Sequence, residues 1–162
     1  MEITRFQLYD LMNRPGPLWL VGADLEGVDL QRANLRGANL NRTNLSNAQL
    51  HQVNLEGSDL RDAVLKKANL RSVILRGANM LGADLQEAEL YLADVVGSVL
   101  REANLSKANL ENANLQHSIL EGADLRGANL RNANLRDAVI QDANFEGAIL
   151  TGAVMPDGTQ HS

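Results

Sequence analysis

The chain carries an apolar residue at every fifth position, without a slip, from Leu20 to Met155. Leucine occupies 23 of these 28 positions. Two residues earlier, from Ala23 to Ala153, the side chain is always small or apolar, and alanine fills 20 of the 27 positions. The residue between these two is mostly Asn or Asp, and the two residues after the leucine are mostly charged, polar or Gly. Two of every five residues therefore suit a core, and three suit a surface in water.

Neither common element can use this spacing. Five residues advance an α-helix by about 140° beyond a full turn, and five residues of a flat strand end on its opposite face. A chain that bends by about 90° after every fifth residue brings each leucine back to one axis, so that four repeats close a coil of about 20 residues. Eleven of the 13 glycines stand two residues after the leucine position, where a turn residue is needed. The pattern predicts an all-β solenoid of about seven stacked coils.

The repeated motif Ala-(Asp/Asn)-Leu-x-x, as in "ANLRGANL" and "ADLRGANL", resembles that of the pentapeptide-repeat family over residues 18–155. The resemblance implies a right-handed quadrilateral β-helix, closed in many members by a short N-terminal helix and often dimeric. We accordingly divide the chain into an N-terminal capping helix and linker (1–17), a pentapeptide-repeat β-helix (18–155) and a C-terminal turn and tail (156–162).

The two ends of the chain depart from the repeat. Apolar residues in the first 12 positions recur roughly as in an amphipathic helix, which Pro15 and Pro17 end. This helix would cover the first coil, or alternatively bind a partner, and we expect Trp19 to pack where it meets the coil. At the other end, Pro156 opens a turn sequence, and we expect residues 159–162 to be loose.

Composition narrows the class of protein. A content of 44% hydrophobic and 22% charged residues is that of an ordinary folded domain, and the absence of cysteine excludes disulfides and thiolate metal sites. The sequence shows no signal-peptide pattern and no apolar run that could span a bilayer, so we expect a cytoplasmic protein without a membrane partner. The formal charge of −5 argues against direct nucleic-acid binding.

Residues that could carry chemistry do not converge. In a 20-residue coil the histidines His51, His117 and His161 fall on unrelated columns, which gives no metal-ligand spacing. The Asp and Asn residues before each leucine are expected to bond the backbone of the turns. We therefore expect no catalytic residues, no metal, no cofactor and no enzymatic activity.

Apolar residues at the position usually held by Asn or Asp are the most informative departure. Val99, Ile119 and Val139 are 20 residues apart and so share one outward column, and Leu81 lies diagonally near them. Such a stripe indicates a contact surface or, alternatively, a β-branched ladder that only stabilises stacked strands. If it is a contact surface, either this column or the open C-terminal coil could form a homodimer.

Function follows from shape more than from any motif. We predict a non-enzymatic rigid scaffold for protein–protein interaction whose protein partner is unidentified. The alternative is a DNA mimic that binds DNA gyrase, as in the quinolone-resistance members of the family. Mimicry requires a dominantly negative surface, whereas Arg36, Arg76 and Arg136 share one column with Glu56.

Overall fold

The computed structural model describes residues 16–162. The predicted capping helix thus lies outside the described residues, except for Gly16 and Pro17. Residues 16–162 contain no helix and no strand longer than one bridged residue. Instead, every fifth residue from Trp19 to Asn134 forms a parallel β-bridge with the residue 20 positions later, and the last of these bridges joins Asn134 to Val154. The predicted coil of 20 residues is confirmed.

Two sets of backbone hydrogen bonds hold each coil to its neighbours. The leucine N–H donates to a carbonyl in the following coil, as from Leu45 to Val64 (2.7 Å), and the N–H before each leucine donates to the preceding coil, as from Val64 to Thr43 (3.0 Å). Each short extended segment is therefore bonded on both edges. Each coil has four such segments, which define four faces of the solenoid. In the first coil these are residues 18–20 (face 1), 23–25 (face 2), 28–30 (face 3) and 33–35 (face 4). Each face continues through the equivalent residues 20 positions later in every following coil.

A tight turn separates successive faces. The amide of Ala23 donates to the carbonyl of Leu20 at 3.0 Å, and the same bond recurs throughout the repeat. The residue two after the leucine has a positive φ in every repeat from Gly22 to Gly152, which is the mark of a type II turn. Sixteen of these residues are not glycine, with φ between 53° and 60°. The stacked hydrogen bonds hold these side-chain-bearing residues in a conformation that they rarely adopt alone.

The core is a ladder of leucines with alanines beside them. Leu45, Leu85 and Leu125 are at most 1% exposed, as expected for side chains that converge on one axis. Thr43 and three serines take the alanine position on the inside and are also buried. Full burial of one leucine contributes about 1.5–3 kcal/mol, so this ladder is a main stabilising feature of the fold.

The core is only partly covered at the C-terminal end of the solenoid. Ile140, Phe145, Leu150 and Met155, the last core residue of each face, are only partly buried. We expected residues 159–162 to be loose, and for residues 159–161 this is wrong. Gln160 forms an antiparallel bridge with Val154 on face 4. The amide of His161 donates to Ala153, and the carbonyls of Thr159 and His161 accept from Met155 and Gly152. The tail thus pairs with the edge of face 4, which a repeat pattern could not reveal.

Candidate interaction surface

The three β-branched residues predicted to stack do so. Val99 bridges Ile119, and Ile119 bridges Val139, in the middle column of face 1. We call these three residues the apolar column. Val99 and Ile119 are half-buried by their neighbours, and Val139 at the C-terminal end of the column is 46% exposed. The apolar column thus forms a ladder of β-bridges and also exposes apolar surface to water.

Leu81 flanks this column and is not part of it. It lies in the corner column between faces 1 and 2, one coil before Val99, and is 36% exposed. Its amide donates to the side chain of Asn79, the residue that bridges Val99 from the preceding coil. The structure therefore places Leu81 beside the N-terminal end of the apolar column.

Trp19 begins the same column of face 1, and its side chain is 70% exposed. We expected it to pack between the capping helix and the first coil, a contact whose other half lies outside the described residues. Val21, in the corner that follows Leu20, is 54% exposed, so apolar surface lies at both ends of face 1, with polar residues in the middle column between them. The column position of Trp19, 80 residues before Val99, would have indicated this from the sequence.

Polar residues on the other faces are occupied with one another. The Oδ1 atom of Asp24 accepts both from the amide of Glu26, at 3.3 Å, and from the side-chain amide of Asn44 in the next coil, at 2.9 Å. The same turn bond recurs at most Asn and Asp residues before a leucine. These side chains accept hydrogen bonds from the backbone amides of the turns and so serve a structural role, as expected from the sequence.

Many of the charges on the surface are paired at short range. Arg36 pairs with Glu56 at 3.1 Å and Arg101 with Glu121 at 2.6 Å, in both cases between adjacent coils. Within one turn, Arg61 binds both carboxylate oxygens of Asp59, and this hydrogen bonding lowers the pKa of Asp59. Arg126 binds Asp124 in the same way and lowers its pKa. The charges of such pairs largely cancel within a Debye length.

The histidines and carboxylates of the described residues do not converge on a metal site. Within residues 16–162, no three His, Asp or Glu side chains are grouped so that they could hold a metal ion. His51 lies at the corner between faces 3 and 4, His117 lies 3.8 Å from Asp137, and His161 is in the tail. The described part of the chain also has no helix long and apolar enough to cross a membrane.

Solved structures with the same repeat show what this geometry is similar to. The chain is 33% identical to a pentapeptide repeat protein of the Arabidopsis thaliana thylakoid lumen, over 62% of this chain and 63% of that one, with a TM-score of 0.46. It is 31% identical to the pentapeptide repeat protein Rfr23 of the cyanobacterium Cyanothece 51142, over 88% of this chain and 91% of that one, with a TM-score of 0.35. The plasmid-mediated fluoroquinolone resistance protein QnrB1 is 19% identical over 82% of this chain and 89% of its own, with a TM-score of 0.50. The chain spans about 63% of the Arabidopsis protein's length.

The repeat itself matches a family profile, although no curated protein matches the chain. The profile for pentapeptide repeats finds eight copies in overlapping stretches that begin at residue 20 and end at residue 155. Together with the 20-residue bridging register, this shows that the chain belongs to the pentapeptide-repeat family.

Proposed function

We propose that this protein is a non-enzymatic, rigid, right-handed quadrilateral scaffold that binds a protein partner through the apolar column and Leu81. The contiguity of Val99, Ile119 and Val139 supports the proposal, because the equivalent columns of the other faces carry mostly Asn, Asp and Glu in water. At three successive positions of this column, an apolar side chain replaces an Asn or Asp side chain that would accept a hydrogen bond from the backbone of its turn.

The apolar column stabilises the stacked coils as a ladder, and we assign it a second role in binding a partner. A ladder role would be fulfilled by the buried part of each side chain, whereas nearly half of Val139 remains in water. Covering apolar surface contributes about 25 cal/mol per Å², so a partner that covers the whole column gains more than one that covers a single exposed valine. Contiguity is the feature that such a partner would recognise.

The partner that this surface fits best is a second copy of the same chain. Val139 at the end of the column precedes Ile140, a half-buried core residue of the open C-terminal coil. The amides of Phe145 and Leu150 in that coil donate to no backbone carbonyl among residues 16–162. A homodimer could therefore cover the column and the coil end together, with one continuous apolar surface from each copy.

The test is the substitution Ile119→Asp, compared with Ile74→Asp. Face 1 already holds Asp59 in the same column, so an acid can be built there, and Ile74 occupies the matching column of face 4. We expect sedimentation velocity to show concentration-dependent association of the wild type, no association of Ile119→Asp, and normal association of Ile74→Asp. Circular dichroism melts would check that both variants fold.

A heterologous partner is tested by the same pair of variants. A protein that copurifies with the wild type and Ile74→Asp from the native cell, and is lost with Ile119→Asp, would be that partner. Identical sedimentation and identical copurifying proteins for all three forms would refute the proposed interface. Gyrase supercoiling, with and without quinolone, should be unaffected by the protein, because the interleaved ion pairs do not imitate the charge of DNA.

A further inference from the structure

A cleft of about 400 Å³ lies along the corner between faces 3 and 4. Its lining spans three successive coils and consists of polar residues: Arg32, His51, Gln52, Asn69, Arg71 and Ser72. We call this the corner cleft. Two guanidinium groups, an imidazole, two amides and a hydroxyl line it, and none of the lining residues is a carboxylate. The lining thus offers mainly hydrogen-bond donors.

The corner cleft brings together two cations that form no salt bridge among the described residues. Residues 16–162 contain 13 lysines and arginines, and eight of them form a salt bridge with a carboxylate. Neither Arg32 nor Arg71 forms such a pair with any residue in this described part. Two cations that form no salt bridge with any of residues 16–162 therefore line one concavity in a chain whose formal net charge is −5. An unneutralised pair of this kind attracts an anion from solution.

Both guanidinium groups are held by uncharged neighbours. The Nε atom of Arg32 donates to the side-chain oxygen of Gln52 at 3.0 Å, which leaves its two terminal nitrogens available. The guanidinium of Arg71 lies 4.9 Å from the centre of the Tyr91 ring, a cation–π arrangement that restricts its orientation without neutralising it. Less side-chain entropy is then lost when either group binds a ligand.

The backbone sets the spacing across the cleft. The amide of Arg32 donates to the carbonyl of His51, and the amide of Gln52 donates to the carbonyl of Arg71, each at 3.0 Å. Arg32 and Arg71 are therefore two coils apart, roughly 10 Å at about 4.8 Å per coil, with His51 in the coil between them. Two guanidinium groups can reach a small tetrahedral anion from opposite ends of such a gap, each with paired N–H donors.

We propose that the corner cleft binds an oxyanion of the phosphate type. Arg32 and Arg71 clamp the anion from the two outer coils, and His51 and Ser72 line the space between. The same oxygen atoms are presented by inorganic phosphate and by a phosphate monoester, such as a phosphorylated side chain. This site lies at the corner between faces 3 and 4, away from the apolar column on face 1, and does not depend on that column.

The test uses the full chain labelled with ¹⁵N, titrated with inorganic phosphate and separately with O-phosphoserine at constant ionic strength. We expect saturable shifts of the amides of His51, Gln52, Arg71 and Ser72. Arg71→Gln should weaken binding at least about tenfold, since it removes a charged hydrogen-bonding group. The matched control is Arg131→Gln, which removes an arginine from the same corner column outside the cleft and should leave binding unchanged.

The two titrations identify the source of the anion. Tighter binding of inorganic phosphate indicates a free anion, and tighter binding of O-phosphoserine indicates a phosphorylated group on a larger ligand. Shifts that grow linearly without saturation would overturn the proposal. An equal loss of affinity in Arg71→Gln and Arg131→Gln would also overturn it, because it would show a general attraction of anions to the corner.

Discussion

Ser58 and Ser98 occupy the same inward column of face 1, two coils apart, and only Ser98 uses its hydroxyl. The Oγ atom of Ser98 donates to the carbonyl of Val95 at 2.8 Å, whereas the equally buried Oγ of Ser58 has no partner. A buried polar group without a hydrogen bond costs about 1–3 kcal/mol. Alanine fits the site, because Ala38 and Ala78 occupy the column on either side of Ser58 and are fully buried.

We expect Ser58→Ala to raise the free energy of unfolding by about 1 kcal/mol and Ser98→Ala to lower it by about 1 kcal/mol. Urea denaturation of the two variants would measure this difference. Ser118→Ala is a second control, because the hydroxyl of Ser118 donates to Leu115 at 2.7 Å. Equal losses of stability in Ser58→Ala and Ser98→Ala would show that the Ser58 hydroxyl finds a partner in solution.

Val95 stands where leucine is usual and leaves the core slightly underfilled. A void of about 10 Å³ lies on the axis of the solenoid, lined only by apolar side chains that include Val95, Met80 and Leu90. Such a void holds no water and forfeits dispersion contacts. We expect Val95→Leu to raise the free energy of unfolding by about 1 kcal/mol, the value of one buried methylene.

Leu90→Val, which enlarges the same void, is the matched control and should cost about 1 kcal/mol. Thermal unfolding followed by circular dichroism would compare the two. If Val95→Leu destabilises the protein, the void is too narrow for the added group and the core is overpacked.

The sequence predicts the backbone of this fold better than its surface. The interval between leucines determines that Leu45 and Leu125 face one axis, because no other regular path keeps them together. The tail is different: the pairing of Gln160 with Val154 depends on a single turn outside the repeat, and no periodic signal accompanies it. The stacking of Ile119 between Val99 and Val139 could be predicted from their 20-residue spacing alone.

The corner cleft could not be found in this way. Its character depends on which arginines lack a carboxylate, and this is decided by side-chain orientation rather than by column membership. Arg71 and Arg131 share a column, yet only Arg71 lines the cleft. Likewise, the unpaired hydroxyl of Ser58 depends on a rotamer that the sequence pattern does not specify.

Leu92 is a poor residue for the turn position that it occupies. Its φ of 58° lies in the left-handed region, and its side chain is 49% exposed. Asparagine tolerates this conformation better than leucine does. We expect Leu92→Asn to raise the free energy of unfolding by about 0.5–1 kcal/mol, as judged by guanidinium denaturation.

The next turn provides the opposite substitution. Gly97 has a φ of 66°, and a Cβ atom there would contact nothing within 4 Å. Gly97→Ala should therefore cost about 1 kcal/mol through backbone strain alone. No loss in Gly97→Ala would mean that the stacked turns impose little strain on residues with side chains.

Two carboxylates should make stability depend on pH in the acid range. Hydrogen bonds from Arg61 and Arg126 lower the pKa of Asp59 and Asp124 from the ordinary value of 3.8. The stability that each carboxylate contributes is complete above the pKa of the unfolded chain, about 3.9, and is lost as the pH falls through the lower pKa of the folded protein. Stability should thus fall from about pH 4 downward.

The double variant Asp59→Asn, Asp124→Asn isolates this contribution. Asparagine keeps the oxygen that accepts the backbone amide two residues on, as Asn39 does for Asn41 at 3.2 Å, and loses the charge. We expect the free energy of unfolding of the variant to vary less between about pH 4 and pH 2 than that of the wild type. At pH 7 the loss should be at most about 1 kcal/mol per pair, as for other ion pairs near the surface. Parallel curves for the two proteins would contradict the assignment.

The tail should protect the edge of face 4 and little else. His161→Pro removes the N–H that donates to Ala153, at 2.7 Å, and disturbs the bond from Gly152 to the carbonyl of residue 161. Because each coil of a solenoid contacts only its neighbours, the effect should stay local. We expect hydrogen exchange to accelerate at the amides of Gly152 and Met155, while Leu70 in the middle of the stack keeps its protection. Gln160→Ala is the control: it removes only the side-chain bond to the carbonyl of Gly152, at 3.3 Å, and retains the backbone pairing with Val154, so it should leave these rates nearly unchanged. Unchanged exchange at Gly152 and Met155 in His161→Pro would show that the tail does not hold this edge in solution.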